Sequence, residues 1–133
     1  MTFGGCSHLV SVVFGEHSNI KNLGVESFAS CLALTSITLP DKLKVVEMVA
    51  FTNCSALERV VFNKNLKTIG QKAFQHCALT SITLPDKLEV LGTRVFAECT
   101  SLKRVVCNKT SKLSALALSK AVLSSKMSSL HPA

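Results

Sequence analysis

The ten residues LTSITLPDKL occur twice, at 34–43 and again at 79–88. A chain that spells the same stretch twice is constrained to folds that give equivalent positions equivalent surroundings, so internal periodicity is the first thing to measure. Phe28, Phe51, Phe74 and Phe96 follow one another at 23, 23 and 22 residues, and each is followed three positions later by a cysteine, Cys31, Cys54, Cys77 and Cys99. Phe3 and Cys6 begin an earlier and looser unit. After each cysteine come apolar residues at fixed offsets: Leu34, Ile37 and Leu39; Leu57, Val60 and Phe62; Leu79, Ile82 and Leu84; Leu102, Val105 and Cys107, with Leu9, Val12 and Phe14 in the first unit. The last two of each trio alternate with polar or small neighbours, which predicts a short strand with one buried face.

A turn follows each strand, at Pro40-Asp41, Asn63-Lys64 and Pro85-Asp86, and then a second apolar pair such as Leu43 and Val46 or Leu66 and Ile69. A unit of about 23 residues has too little interior to bury its own apolar side. Stacked copies share one continuous core, with about three needed for stability. Five units predict a solenoid whose strands lie parallel about 4.8 Å apart and whose like residues form ladders. The period is also double. Units reading LTSITLPDKL alternate with units reading LERVVFNKN (57–65) and LKRVVCNKT (102–110), so a two-unit block has been duplicated.

LTSITLPDKLEVLGTRVFAEC, residues 79–99, resembles the BspA-like leucine-rich repeats, and the likeness extends over residues 3–108. The resemblance implies a right-handed solenoid with short parallel strands on the concave face and turns or short helices opposite. Glu47 departs from the pattern where Gly24, Gly70 and Gly92 stand in other units, and Val95 replaces an alanine. The first unit has 25 residues, and its loop before Ile20 is expected to bulge.

Residues flanking the buried strand position should point outward. They form one row of Ser11, Ser36, Arg59, Ser81 and Arg104, and a second of Val13, Thr38, Val61, Thr83 and Val106. Solenoids present such rows to extended or convex partners, and arginine is enriched at interface anchors and grips carboxylates with two hydrogen bonds. Ser36, Thr38, Arg59, Val61, Ser81, Thr83, Arg104 and Val106 are therefore the candidate partner-binding residues. Threonine and valine suit strands whatever they touch, which is the plainer explanation of the second row.

Other chemistry finds little support. Five of the six cysteines share one repeat column and lack the close pairs of zinc sites, which predicts a buried ladder of free thiols and favours a reducing, intracellular compartment. His76 beside Cys77 is not a nucleophile and base, because neighbours in a turn point apart and the cysteine belongs to the buried column. His8, His17 and His131 form no ligand set, no phosphate-binding glycine motif occurs, and Asn53-Cys54-Ser55 and Asn108-Lys109-Thr110 are sequons in form only. No metal, cofactor or catalytic residue is expected. All seven phenylalanines fall in core columns and there is no Trp or Tyr, so base stacking, on which single-strand binders rely, has no candidates and a nucleic-acid partner is disfavoured.

The formal charge is +7, and after Glu98 the chain carries six lysines and arginines up to Lys126 and no acid. An acidic partner would complement that end. No basic stretch precedes the first apolar residues, so neither a signal peptide nor an anchor is expected. The repeat ends near residue 110. In 111–133, Leu113, Leu116, Lys120, Leu123, Met127 and Leu130 recur at spacings of three and four, predicting an amphipathic helix that either caps the last coil or meets a partner helix or a membrane surface. At the other end the first coil shows no cap, so it meets another protein or continues a longer array. Two functional readings remain: a non-catalytic module binding a protein through its concave strands, or a structural subunit held in a larger assembly by its open end and tail helix. The oligomeric state is not legible.

Overall fold

The computed structural model of the chain describes residues 2–107, 112–122 and 129–132. Two rows of strands run along a parallel β-solenoid of about four turns. The longer strands are β2 (Ser36–Thr38), β4 (Arg59–Val61), β6 (Ser81–Thr83) and β8 (Arg104–Cys107). Between them in the chain lie two-residue strands, β1 (Asn22–Leu23), β3 (Val45–Val46), β5 (Thr68–Ile69) and β7 (Val90–Leu91). The short strands form one continuous parallel sheet, β1-β3-β5-β7. That second sheet answers to the apolar pair after each turn, which the periodicity located without assigning it a conformation. In the first unit Leu9, Val12 and Phe14 pack against the core but form no strand, so Ser11 and Val13 extend the outward rows only as a loop.

Equivalent side chains stack directly. The rings of Phe3, Phe28, Phe51 and Phe74 follow one another at centroid distances of 5.4, 5.2 and 5.1 Å and lie within 15° of parallel. These are the offset-stacked separations that aromatic rings favour. Around them Leu34, Leu57, Leu79 and Leu102, and Leu43, Leu66 and Leu88, are fully buried columns. Cys107 is buried in the column of Leu39 and Leu84, as its offset predicts.

The turn that carries each Phe-x-x-Cys is a second hydrogen-bonded ladder. Phe28 N–H donates to Ala50 O at 2.8 Å, Phe51 to Ala73 at 2.8 Å and Phe74 to Val95 at 3.0 Å. To aim these groups at the next coil the chain takes two left-handed residues per turn, among them Val49 at φ 52° and Asn53 at φ 61°. The equivalents of Val49 are Glu26, Lys72 and Arg94. A β-branched residue there is strained, because its side chain crowds the following carbonyl. Gly70 answers a different demand: a Cβ on it would lie 2.4 Å from Met48 N in the preceding coil.

One register defect interrupts the stack. Leu34, Leu57 and Leu102 each follow their cysteine by three residues and close the turn by donating to its carbonyl. Leu79 follows Cys77 by only two. At that missing residue the longer-strand row divides into a β2-β4 pair and a β6-β8-β9 sheet. The ring stack widens to 6.2 Å one step later, between Phe74 and Phe96, while β5 and β7 on the other side stay paired.

The tail departs from the expected long helix. Among the described residues the helix is α1 (Ala115–Ala121), capped by Ser114, whose Oγ accepts from Ala117 N–H at 3.0 Å. Its buried side is Leu118 and Ala121, while Leu116 is exposed. Leu123, Met127 and Lys126 lie outside the described residues. The chain returns as β9 (Ser129–Pro132), parallel to β8 with Ser129 beside Arg104 and Leu130 beside Val105. Arg94 N–H donates to Lys120 O and Phe96 N–H to Ala121 O, both at 2.9 Å. α1 thus receives the bonds that each Phe turn elsewhere gives to the next coil. The C-terminal helix is present but short, and it falls within the 25 residues that separate Arg104 from its register partner Ser129.

Two substitutions test this backbone. Val49→Asn should raise stability by about 1 kcal/mol by relieving the left-handed strain, and Gly70→Ala should lower it by roughly 1–3 kcal/mol through overpacking. Urea denaturation followed by circular dichroism reads both; a neutral Gly70→Ala would show that the coils do not approach as closely as described.

Candidate protein-interaction face

The longer strands place their central residue inward and the flanking residues outward. Ile37, Val60 and Ile82 are buried, and Ser36, Thr38, Arg59, Val61, Ser81 and Thr83 are exposed. Register fixes their neighbours: Ser36 lies beside Arg59 and Thr38 beside Val61, while Ser81 lies beside Arg104 and Thr83 beside Val106. Seven of the eight candidate residues therefore share one exposed face. Val106 is half-buried, with β9 running beside it. Among the described residues neither Arg59 nor Arg104 enters an ion pair.

The edge between the two strand rows is organised by Asn63, which the sequence marks only as part of a turn. It is 7% exposed. Its Nδ2 donates to Pro40 O at 2.7 Å, Leu43 O at 2.8 Å and Asp41 O at 3.0 Å, tying the preceding turn into place. Its Oδ1 has no partner, and one coil on stands Pro85, which has no N–H to offer. A second feature of this edge also escapes a linear reading. Lys21, Lys44 and Lys67, far apart in the chain, are stacked in register, with Lys44 N–H on Lys21 O at 2.8 Å and Lys67 N–H on Lys44 O at 2.9 Å. The available signal was the recurrence of lysine at one repeat offset. Glu89 ends the column, pairing with Lys67 at 3.2 Å and Lys112 at 3.7 Å, and the Lys67 hydrogen bond holds its carboxyl below the usual value.

Five of the cysteines are built into the core, whereas Cys6, expected to begin the buried column, is exposed because no earlier coil covers it. All six are free. Cys31, Cys54, Cys77 and Cys99 each donate Sγ–H to the carbonyl of the phenylalanine one coil earlier, at 3.1 to 3.3 Å. A buried weak donor so placed is a structural role for the thiol. His76 is exposed while Cys77 is buried, so the adjacent pair does not converge. Among the described residues no group of three His, Cys, Asp or Glu is placed to hold a metal ion, and no helix is long and apolar enough to cross a membrane.

Residues 1–103 match the model of the BspA type leucine rich repeat region in six copies. The chain belongs to that family. Three solved structures are similar to it. A leucine-rich repeat protein of Bacteroides ovatus aligns with 98% of the chain at 28% identity and a TM-score of 0.73. The leucine rich repeat protein of T. pallidum aligns with 78% at 32% identity and 0.74. The pneumococcal vaccine antigen PcpA aligns with 74% at 28% identity and 0.69. The chain spans 29%, 48% and 25% of those three chains respectively. No curated protein matches it. The family count is one copy above the five units that the phenylalanine and cysteine columns define.

Burial raises most of the buried thiols, whereas the hydrogen bond from Cys77 lowers Cys54. Burial pushes Cys77 well up and Cys99 from 9.0 to about 11. Alkylation of the native protein at pH 8 should therefore label the exposed Cys6 first, and the buried thiols only with unfolding, as peptide mass mapping will show. The folded chain holds these protons where the unfolded chain would release them near pH 9. The stability involved is complete below that pH and is lost as pH rises toward about 11. Thermal melts across that window should fall, and a flat profile would place the thiols in water.

Proposed function

We propose that the chain is a non-catalytic recognition module that engages a protein partner through the outward residues of β2, β4, β6 and β8. The observation that supports this reading is the arrangement of Arg59 and Arg104. Both are exposed, both lie beside a serine in the neighbouring strand, and neither is used by the fold in an ion pair among the described residues. Solvated arginines cost the fold little, and they give an interface bidentate donors that a lysine could not supply. The hydroxyls of Ser36, Thr38, Ser81 and Thr83 add hydrogen-bonding groups that accept or donate as a partner requires.

The alternative, a subunit fixed in an assembly through its tail helix, asks α1 for an apolar face. Leu118 and Ala121 are already buried against the chain's own core, and Leu116 remains as an isolated exposed leucine. The strand face is the better-supported surface.

The test is a pair of charge reversals. Arg59→Glu/Arg104→Glu should keep the circular dichroism spectrum and melting temperature of the parent and lose crosslinked partner. Lys72→Glu/Lys103→Glu carries the same change in net charge and leaves both arginines in place, so it should retain the partner. Equal loss in both variants would show that overall charge, and not this face, drives capture.

A further inference from the structure

The sheet β1-β3-β5-β7 has an open edge at β1. Along this row each later coil donates backbone N–H groups to the coil before it, as Lys67 and Thr68 do to Lys44 O and Gly70 does to Val46 O. The equivalent donors of the first coil are the N–H groups of Lys21, Asn22 and Gly24, and they donate to nothing among the described residues. All three residues are exposed. Their donors stay solvated in the free chain and are available to the carbonyls of an added strand.

A cavity of about 220 Å³ lies beside that edge. Phe3, Phe14, Ile20, Leu23 and Phe28 give it an apolar wall that fits a branched aliphatic side chain. The wall has one buried polar atom. Ser27, which stands where other coils have Ala50, Ala73 and Val95, is 3% exposed, and its Oγ has no partner among the described residues. A buried hydroxyl in that state is costly, and an occupant of the cavity can supply the missing bond. Gly24 borders the same opening. A Cβ on Gly70 or Gly92 would lie 2.4 Å from the backbone of the coil before, whereas one on Gly24 would meet nothing within 4 Å. Unused donors, an apolar cavity and an uncovered glycine together form the seat of one more strand.

Charge selects that strand. Lys21 heads the column of Lys44 and Lys67, and Glu89 closes the column at its other end, 3.2 Å from Lys67. An acid at the same offset in an added strand would meet Lys21 in the same way. A second copy of the chain is the poorer occupant, because it would bring two formal charges of +7 together with Lys21 at the junction, and a lysine on an open edge discourages pairing with a like chain.

We infer that β1 accepts an extended segment of a partner protein as a further parallel strand, with an aliphatic residue over Leu23 in the cavity and an acidic residue two positions earlier beside Lys21. Every pairing in this row is parallel. In such additions the main-chain bonds give affinity and the pockets give specificity. The site is separate from the outward face of β2, β4, β6 and β8 and does not rest on the function proposed for it.

The segment 65–71, NLKTIGQ, supplies a probe, because its Lys67 and Ile69 carbonyls accept from the next coil in the required manner. Three synthetic peptides are titrated into the full chain at low salt: the unchanged segment, a Lys67→Glu form and a Lys67→Glu/Ile69→Asp form. Amide hydrogen exchange followed by NMR locates the binding. The Lys67→Glu peptide should slow exchange at Lys21, Asn22 and Gly24 and bind about fivefold more tightly than the unchanged segment, as one exposed ion pair allows. The further Ile69→Asp change should weaken binding about tenfold or more by emptying the cavity. Lys21→Glu in the protein should reverse the preference between the first two peptides, and Arg59→Glu/Arg104→Glu should leave it unchanged. Unaltered exchange at the three amides, equal slowing by the Asp peptide, an unreversed preference, or a dimer in light scattering that protects the same amides would each overturn the inference. The strand-face function is read from Arg59 and Arg104 alone, so it stands or falls separately.

Discussion

In-register stacking of like side chains on like side chains is the interaction from which everything else in this solenoid follows. No single coil has an inside. Phe51 is fully buried only because Phe28 and Phe74 lie about 5 Å above and below it, and the same holds for every leucine column. Stability is then a matter of nearest-neighbour interfaces, and each coil must end with its backbone groups aimed at the next. The left-handed residues of the Phe turns, the close approach at Gly70 and the thiols that donate to phenylalanine carbonyls all serve that requirement. Where the stack ends, α1 accepts the bonds that Arg94 and Phe96 would otherwise leave unmade, since a buried N–H without a partner is costly.

A solenoid of this kind also tolerates local defects, because its two strand rows are bonded separately. The missing residue after Cys77 breaks the longer-strand row between β4 and β6 yet leaves β5 paired with β7. Across the broken step the rings of Phe51 and Phe74 stay 5.1 Å apart, so the core column is not parted. The opening that results lies on the outward strand side, where a depression is lined by residues of 59–64 and 81–86. A small irregularity in length thus becomes a feature of the surface, while the columns that hold the coils together stay filled.

Much of this was legible in the chain itself. Stacking could be read from the columns of phenylalanine, leucine and cysteine because a residue at a fixed offset in every unit must meet its own kind in a solenoid. The outward rows followed from strand alternation, and all eight candidate residues lie in them. Val106 is half-buried, and the strand beside it, β9, belongs to a tail whose spacing suggested a longer helix. The second sheet was missed because two-residue strands are too short to show an alternation. Asn63 was missed because its role depends on three carbonyls of another coil, and a linear reading sees only the turn on which it sits. Lys21, Lys44 and Lys67 were dispersed by the chain and assembled by the fold, so a count of charge along the sequence pointed to the C-terminal end alone.

The duplicated decapeptide takes on its meaning from the difference between its two surroundings. Ile37 and Ile82, Leu39 and Leu84, and Leu43 and Leu88 are buried in both copies, so packing accounts for the apolar half of the identity. Ser36, Thr38, Asp41 and Lys42 are exposed and have no such constraint, nor do Ser81, Thr83, Asp86 and Lys87. Their identity reflects a block copied whole, with nothing in the core obliging the surface to match. The segments that face the two copies differ, SVVFGE (11–16) ahead of the first and RVVFNK (59–64) ahead of the second, so Glu16 stands beside one copy and Arg59 with Lys64 beside the other. Each pairing leaves a depression on the strand side with one wall in common and the other wall different in charge.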